Sequence, residues 1–151
     1  MQGTEVVIED KDRVAKVQAL ARNGEVLVAA GRLSEARDAY RSALDLIIPV
    51  VAKRHINEVD PPILAARLNM ALGLVYCWQG IPRPALEYCQ QALEMSEAIA
   101  PRSLLTAEIL NSIAFALYVQ QLDLGGRNST RKGLWISARP SPPVLLFPGR
   151  S

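Results

Sequence analysis

Residues 69–95 read NMALGLVYCWQGIPRPALEYCQQALEM, and residues 20–46 read LARNGEVLVAAGRLSEARDAYRSALDL. The two segments align without a gap at an offset of 49 residues, which superposes two pairs of glycines, Gly24 on Gly73 and Gly31 on Gly80. No other glycine occurs between residues 4 and 124. Self-similarity at a fixed offset is typical of repeat proteins, so the sequence predicts a chain built from repeated supersecondary units.

Each pair of glycines marks a helix and its end. Apolar residues recur at three- and four-residue spacing in both segments, which predicts α-helices. The first glycine of each pair falls inside a helix, where glycine costs about 0.5–1 kcal/mol relative to alanine. We therefore expect a neighbouring backbone to come close at Gly24 and at Gly73. Gly31 and Gly80 follow the helix, where a left-handed cap residue is favoured.

The predicted elements are five helices, near 10–30, 33–56, 61–79, 83–99 and 102–121. Ser34 is the expected N-cap of the second helix, and Pro84 is compatible with the first turn of the fourth helix. Pro49 either kinks the second helix or ends it at Ile47–Ile48. Asp60 is expected to cap the third helix. The predicted fold class is therefore all-α.

The offsets of these residues resemble the pattern of the tetratricopeptide repeat (TPR), a pair of antiparallel helices that stacks into an α-solenoid. The matching residues are Gly24, Gly31, Ala36, Tyr40 and Ala43 in the first copy, and Leu72, Gly73, Tyr76, Gly80, Ala85 and Ala92 in the second. Asn23, Leu27 and Cys89 depart from the family pattern. The resemblance implies an α-solenoid of antiparallel helix pairs.

A weaker third copy begins at TAEILNSIAFALYVQQ. Its Ile113-Ala114 stands 41 residues after Leu72-Gly73, a step similar to that of the long repeats in kinesin light chains. The resemblance covers about residues 16–121. It amounts to two and a half repeats, because no second helix follows the third copy in the sequence.

Composition divides the chain into three segments. Residues 1–9 are expected to be a flexible N-terminus, residues 10–123 a TPR-like repeat domain, and residues 124–151 a disordered, Pro/Gly-rich tail. The tail is basic: residues 125–151 hold five basic and no acidic residues, whereas residues 1–124 carry a net charge of −3. A solvated tail is one interpretation, and an arm for nucleic acid or an anionic membrane is the other. Nucleic-acid binding is disfavoured because only 5% of the residues are aromatic.

The sequence offers no constellation for catalysis, a cofactor or a metal. It has one histidine, His55, and two cysteines, Cys77 and Cys89, which lack the C-x-x-C spacing of a redox pair. No phosphate-binding G-x-x-x-x-G-K and no serine in a strand–turn–helix elbow occur. We therefore expect a protein that is not an enzyme, with the two cysteines as small core residues on the two helices of one repeat.

In the family that the chain resembles, the first helix of each pair lines a concave groove. The resemblance places groove positions at Gln18, Ala21, Glu25 and Val28 in copy one, at Arg67, Met70, Leu74 and Cys77 in copy two, and at Glu108, Asn111, Phe115 and Tyr118 in copy three. Two interpretations stay open: these positions form a groove for a protein segment, or Met70, Leu74 and Phe115 among them are buried under neighbouring helices. Chaperone-adaptor members grip a C-terminal carboxylate with Lys and Asn, but Ala21 and Glu25 stand at two of those sites. We therefore expect no carboxylate clamp.

The resemblance implies a non-catalytic protein–protein interaction module, an adaptor or scaffold that binds a segment of another protein in the groove. The alternative is a truncated isoform or fragment of a longer repeat protein that forms a homo-oligomer through its exposed last helix. That helix carries apolar residues around more than one stripe: Leu104, Leu105, Ile109, Leu110, Ile113, Ala114, Leu117, Tyr118 and Leu122. One side of it is therefore predicted to stay uncovered by copy two.

The sequence also bears on the cellular compartment. No run of 18 uncharged apolar residues occurs, so no membrane span is expected. Acidic residues interrupt the first 20 residues, which disfavours a signal peptide. We expect a cytoplasmic, reducing compartment.

Overall fold

The structure is a computed structural model that describes residues 2–53 and 60–125, with side chains described from 10 to 53 and from 60 to 122. Over these ranges the chain forms five α-helices and no strand. The helices are α1 (Gln2–Ala29), α2 (Leu33–Ala52), α3 (Asp60–Trp78), α4 (Pro82–Ile99) and α5 (Leu104–Gly125). The all-α class predicted from the sequence is confirmed.

The observed helix bounds differ from the predicted ones mainly at the ends. Helix α1 begins at Gln2 and so continues through most of the segment predicted as a flexible N-terminus. Helix α2 continues past Pro49 to Ala52, so the proline does not end it. Helix α5 extends to Gly125, two residues into the predicted tail. His55 and the tail from residue 126 onward lie outside the described residues.

Consecutive helices pack antiparallel to one another. Gly24 of α1 faces Tyr40 of α2, and Gly73 of α3 faces Cys89 of α4, so residues equally distant from each turn meet. Between the two pairs, the side-chain amide of Gln79 donates to the hydroxyl of Ser34 at 3.3 Å. Each helix thus contacts the next along the chain, and α3 also contacts α5. The result is an α-solenoid array of helix pairs.

Helix α3 lies at the centre of the array. Every residue from Leu68 to Trp78 is buried, because α2, α4 and α5 pack around it. The largest fully buried side chains of the described core are Tyr40, Ile47, Leu68, Leu72 and Ile109. A helix that is apolar on all sides is typical of such a central position.

The two predicted glycine caps are confirmed. Gly31 and Gly80 have φ angles of +76° and +75°, in the left-handed region that favours glycine. The N–H of Gly31 donates to the Val28 carbonyl, and the N–H of Arg32 to the Leu27 carbonyl, both at 2.9 Å. Gly80 and the following residue repeat this pattern at the end of α3. Both first helices therefore end in the same Schellman motif, as expected for structural repeats.

The predicted close approach of a neighbouring backbone is confirmed at Gly73, whereas at Gly24 the nearest atoms belong to a side chain, the ring of Tyr40. A Cβ atom added at Gly24 would lie 2.5 Å from the ring of Tyr40. One added at Gly73 would overlap Cys89 Sγ and lie 3.0 Å from the carbonyl oxygen of Ala85. Tyr40 and Cys89 are the residues that the 49-residue offset superposes. The two copies thus use the same contact position with side chains of different size.

The predicted N-cap role of Ser34 is wrong. Helix α2 begins one residue earlier, at Leu33, and no side chain caps it. A capping serine is found instead at Ser103, whose hydroxyl accepts a hydrogen bond from the backbone N–H of Thr106 at 3.2 Å. The Thr106 hydroxyl in turn bonds to the hydroxyl of Ser96 and to the carbonyl of Ala100. This network ties the start of α5 to the end of α4.

Ser103→Ala is expected to lower the free energy of unfolding by about 1 kcal/mol, because it removes the acceptor at the first turn of α5. Ser42→Ala is the matched control and is expected to lower it by less than about 0.5 kcal/mol, since Ser42 is an exposed residue in the middle of α2. Urea unfolding of both variants measures the difference. Equal losses in the two variants would contradict the assignment of the cap to Ser103.

Candidate protein-binding surface

The predicted groove positions lie on α1, α3 and α5, the first helices of the three copies. Helix α3 contacts α5 and, to a smaller extent, α1, so the three helices follow one another across the array. The predicted positions fall into two sets that differ in their angle around the helix axis, measured from Gly24, from Gly73 or from the equivalent Ala114. The two sets differ in burial.

One set lies on the same stripe as Gly24 and Gly73, which faces the second helix of the repeat. In α1 and α3 this stripe is buried: Val17, Ala21, Gly24, Leu27 and Val28 in copy one, and Ala66, Asn69, Met70, Gly73, Tyr76 and Cys77 in copy two. The side-chain amide of Asn69 reaches the sulfur of Met95 on α4 at 3.4 Å. Ala21, Met70 and Cys77 therefore lie in helix–helix contacts, and for Met70 this is the burial that one of the two interpretations of the sequence expected.

The other set lies about 100–120° around each helix from the glycine position and is called the groove edge here. It consists of Gln18, Glu25, Arg67, Leu74, Glu108 and Phe115. All of these except Leu74, which is buried, are half-buried. The groove edge carries both signs of charge and one aromatic ring, so it offers polar and apolar contacts on three successive helices.

The stripe that contains Gly24 in α1 and Gly73 in α3 is called the glycine stripe, and the equivalent residues of α5 are exposed. They form the greater part of a surface that we call the outer face of α5: Leu104, Ala107, Leu110, Asn111, Ala114, Leu117, Tyr118 and Gln121. Leu110, Leu117 and Tyr118 are 50%, 50% and 53% exposed. The opposite side of the helix, with Leu105 and Ile109, is buried. The prediction that one side of this helix stays uncovered by copy two is confirmed.

The outer face of α5 differs from the exposed faces of α2 and α4 in its charge. The exposed residues of α2 include Glu35, Asp38, Arg41 and Asp45, and those of α4 include Arg83, Glu87, Glu94 and Glu97. The outer face of α5 carries no charge. Contiguous exposed apolar surface of this kind normally marks an interaction site.

The sequence predicts only part of this face. Ala107 and Gln121 lie outside the predicted apolar residues of α5, and Asn111 is one of the predicted groove positions. The 41-residue step from copy two to copy three contains the missing signal, since it superposes Asn111 on Met70 and Ala114 on Gly73. Following the glycine stripe through all three copies identifies the whole face.

The two cysteines are free and buried in the contact between α3 and α4. Burial raises the pKa of the Cys89 thiol to about 12, and burial together with the neighbouring Cys89 raises the pKa of Cys77 to about 12. Both thiols are therefore protonated and unreactive at neutral pH. They serve as small core residues where the two helices come close.

In native protein at pH 8, iodoacetamide is expected to modify Cys77 and Cys89 at least about 100-fold more slowly than in urea, because only the thiolate reacts. Mass spectrometry measures the rates, and Ser42→Cys, at an exposed position of α2, supplies a native cysteine control that reacts quickly. Since both folded-state pKa values are raised from 9.0, thiol burial contributes stability below about pH 9 that is lost as the pH rises towards 12. Rapid native labelling of either cysteine would contradict this account.

Three further findings concern the described residues as a whole. No group of three or more His, Cys, Asp or Glu side chains among them is arranged to hold a metal ion. None of their helices combines the length and apolarity needed to cross a membrane. Comparison of the chain with protein-family models, curated proteins and solved structures found no match.

Proposed function

We propose that this chain is a non-catalytic protein-interaction module of the tetratricopeptide-repeat type. It acts as an adaptor or scaffold and binds a segment of another protein along α1, α3 and α5. The observation that carries this proposal is the groove edge, where partly accessible side chains follow one another on the first helices of all three copies. Stacked helix pairs use such a face as an extended binding surface.

The chemistry of the groove edge supports a protein segment as the ligand. The groove edge contains an amide at Gln18, charges of both signs at Glu25, Arg67 and Glu108, and an aromatic ring at Phe115. A peptide helix or an extended segment presents the same mixture of groups. The repeat architecture supports the resemblance to the tetratricopeptide family through two features, the paired Schellman caps and the paired mid-helix glycine contacts.

We also propose that the chain works inside the cell, in the cytoplasm. Cys77 and Cys89 are both free and buried. Free thiols in a structural role fit a reducing compartment.

Affinity capture with the full-length chain tests the groove. Gln18→Arg on α1 places a new charge at the groove edge and is expected to remove at least one protein that the wild type captures from cell extract. The matched control is Glu94→Arg, which changes the charge on the exposed face of α4 and is expected to leave capture unchanged. Thermal unfolding of both variants confirms that each is folded. Identical captured proteins for the wild type and both variants would contradict binding at the groove edge.

A further inference from the structure

We infer that the outer face of α5 binds the same face of a second copy of this chain, with the two α5 helices antiparallel. This surface is separate from the groove edge, so the inference does not depend on the proposed groove ligand. It begins from the role that the equivalent surface has elsewhere in the chain. In copies one and two the glycine stripe of the first helix packs against a second helix, at Tyr40 and Cys89.

The third copy presents the same stripe without such a cover among the described residues. Leu110 and Leu117 are each 50% exposed, whereas Asn69 and Tyr76, which precede them by 41 residues, are 2% and 8% exposed. The stripe of α5 is therefore a helix-packing surface by position and by composition. A helix supplied from outside the described fold would complete it in the way that α2 and α4 complete the first two copies.

The residue pattern of the face identifies a copy of α5 as a suitable helix. Ala107, Leu110, Ala114, Leu117 and Gln121 alternate at spacings of three and four residues, which is the heptad spacing of paired helices. Small and large residues alternate along this series. In an antiparallel pair the leucines of one helix lie opposite the alanines of the other, so large side chains fill the space that small ones leave.

Charge also favours a second copy. The outer face carries no charged residue, so pairing it with itself brings no like charges together. Antiparallel helices additionally place the positive end of each helix dipole beside the negative end of the other. A charged partner would gain no complementary group from this face.

The size of the face indicates how stable the pair is. Residues 104–121 extend about 27 Å along the helix at 1.5 Å per residue. A single helix face of this length offers a few hundred Å², which is less than the roughly 800 Å² per partner of a standard stable interface. We therefore expect a reversible dimer whose population rises with protein concentration.

The tail of the chain is the competing occupant. It begins directly after α5 and contains the apolar stretches Leu134–Ile136 and Val144–Phe147. Prolines at 140, 142, 143 and 148 separate or flank them, and no heptad spacing occurs in this part of the sequence. The tail sequence therefore does not predict a helix that could replace α2 or α4 in their role.

Sedimentation equilibrium of the full-length chain over a wide concentration range tests dimerisation. The wild type is expected to pass from monomer to dimer, and Leu117→Glu is expected to weaken dimerisation at least about tenfold while leaving far-ultraviolet circular dichroism unchanged. The matched control is Ile48→Glu on α2, since Ile48 is 49% exposed and Leu117 is 50% exposed. The control is expected to dimerise like the wild type. A wild type that stays monomeric, or equal weakening by both variants, overturns the inference.

Disulfide cross-linking tests the antiparallel orientation. In the antiparallel register that sets leucines opposite alanines, Ala107 of one helix lies opposite Leu117 of the other, so Ala107→Cys and Leu117→Cys cross-link when the two variants are mixed and neither cross-links alone. Cross-linking of each variant with itself overturns the orientation. If the wild type is monomeric but the full-length variant Leu145→Glu/Leu146→Glu dimerises, the tail covers the face and the inference is overturned.

Discussion

Gly73→Leu is expected to lower the free energy of unfolding by about 3 kcal/mol, although leucine has the higher helix propensity. A Cβ at this position would overlap Cys89 Sγ and lie 3.0 Å from the carbonyl oxygen of Ala85. The sulfur could rotate, but the carbonyl oxygen belongs to the backbone of α4. A leucine side chain therefore forces α3 and α4 apart. Urea unfolding followed by circular dichroism measures the loss.

Two comparisons isolate the contact at Gly73. Ala98→Leu adds the same side chain to an exposed position of α4 and is expected to change stability by less than about 0.5 kcal/mol. Gly73→Ala should cost less in a Cys89→Ala background than in the wild type, because the overlapping sulfur is absent. A Gly73→Leu variant as stable as the wild type would show that the helices do not cross closely here.

Tyr40→Ala is expected to lower the free energy of unfolding by about 3–5 kcal/mol, in the range of large-to-small substitutions of buried aromatic residues. Tyr40 has no exposed surface, and it is among the largest fully buried side chains of the described core. Its ring fills the space between α1 and α2 that the absent side chain of Gly24 leaves. Thermal unfolding and urea unfolding both report the loss.

A double-mutant cycle with Gly24 checks that the tyrosine and the glycine act as a pair. Gly24→Ala is expected to destabilise the wild type, since the new methyl group would lie 2.5 Å from the Tyr40 ring. In the Tyr40→Ala background the same change is expected to stabilise by about 0.5–1 kcal/mol, because only the helix propensity remains. The same sign in both backgrounds would contradict the contact between them.

Sequence alone predicted most of the fold because the decisive signals are local. The left-handed backbone at Gly31 and Gly80 depends on the residue itself, since only glycine adopts it without strain. The cost of a mid-helix glycine likewise allowed a close helix contact to be predicted at Gly73. The predicted N-cap of α2 was wrong because a serine hydroxyl suits several positions near the start of a helix. The residue type of Ser34 therefore does not fix which of these positions it occupies. Whether the hydroxyl caps the helix depends on the residue at which the helix begins, and a shift of one residue is enough to change this.

The candidate surfaces were less predictable than the fold. The resemblance placed Ala21 and Met70 in a groove, whereas the structure places them on the stripe that packs against α2 and α4. Residues three positions apart on a helix share a face, but sequence spacing does not say what covers that face. The groove edge and the outer face of α5 could be separated only once the helices were packed.

The sequence by itself determined the repetition of two segments at an offset of 49 residues, the helical periodicity and the glycine positions, since these depend on each residue and its near neighbours. Only the tertiary structure decided which apolar stripes are covered. Leu27, Tyr76 and Leu117 are equivalent in the repeat alignment, yet the first two are 8% exposed and the third is 50% exposed. The difference arises because this stripe is buried only where a second helix packs against it. Among the described residues, α2 covers the stripe of α1 and α4 covers that of α3, but no helix covers that of α5.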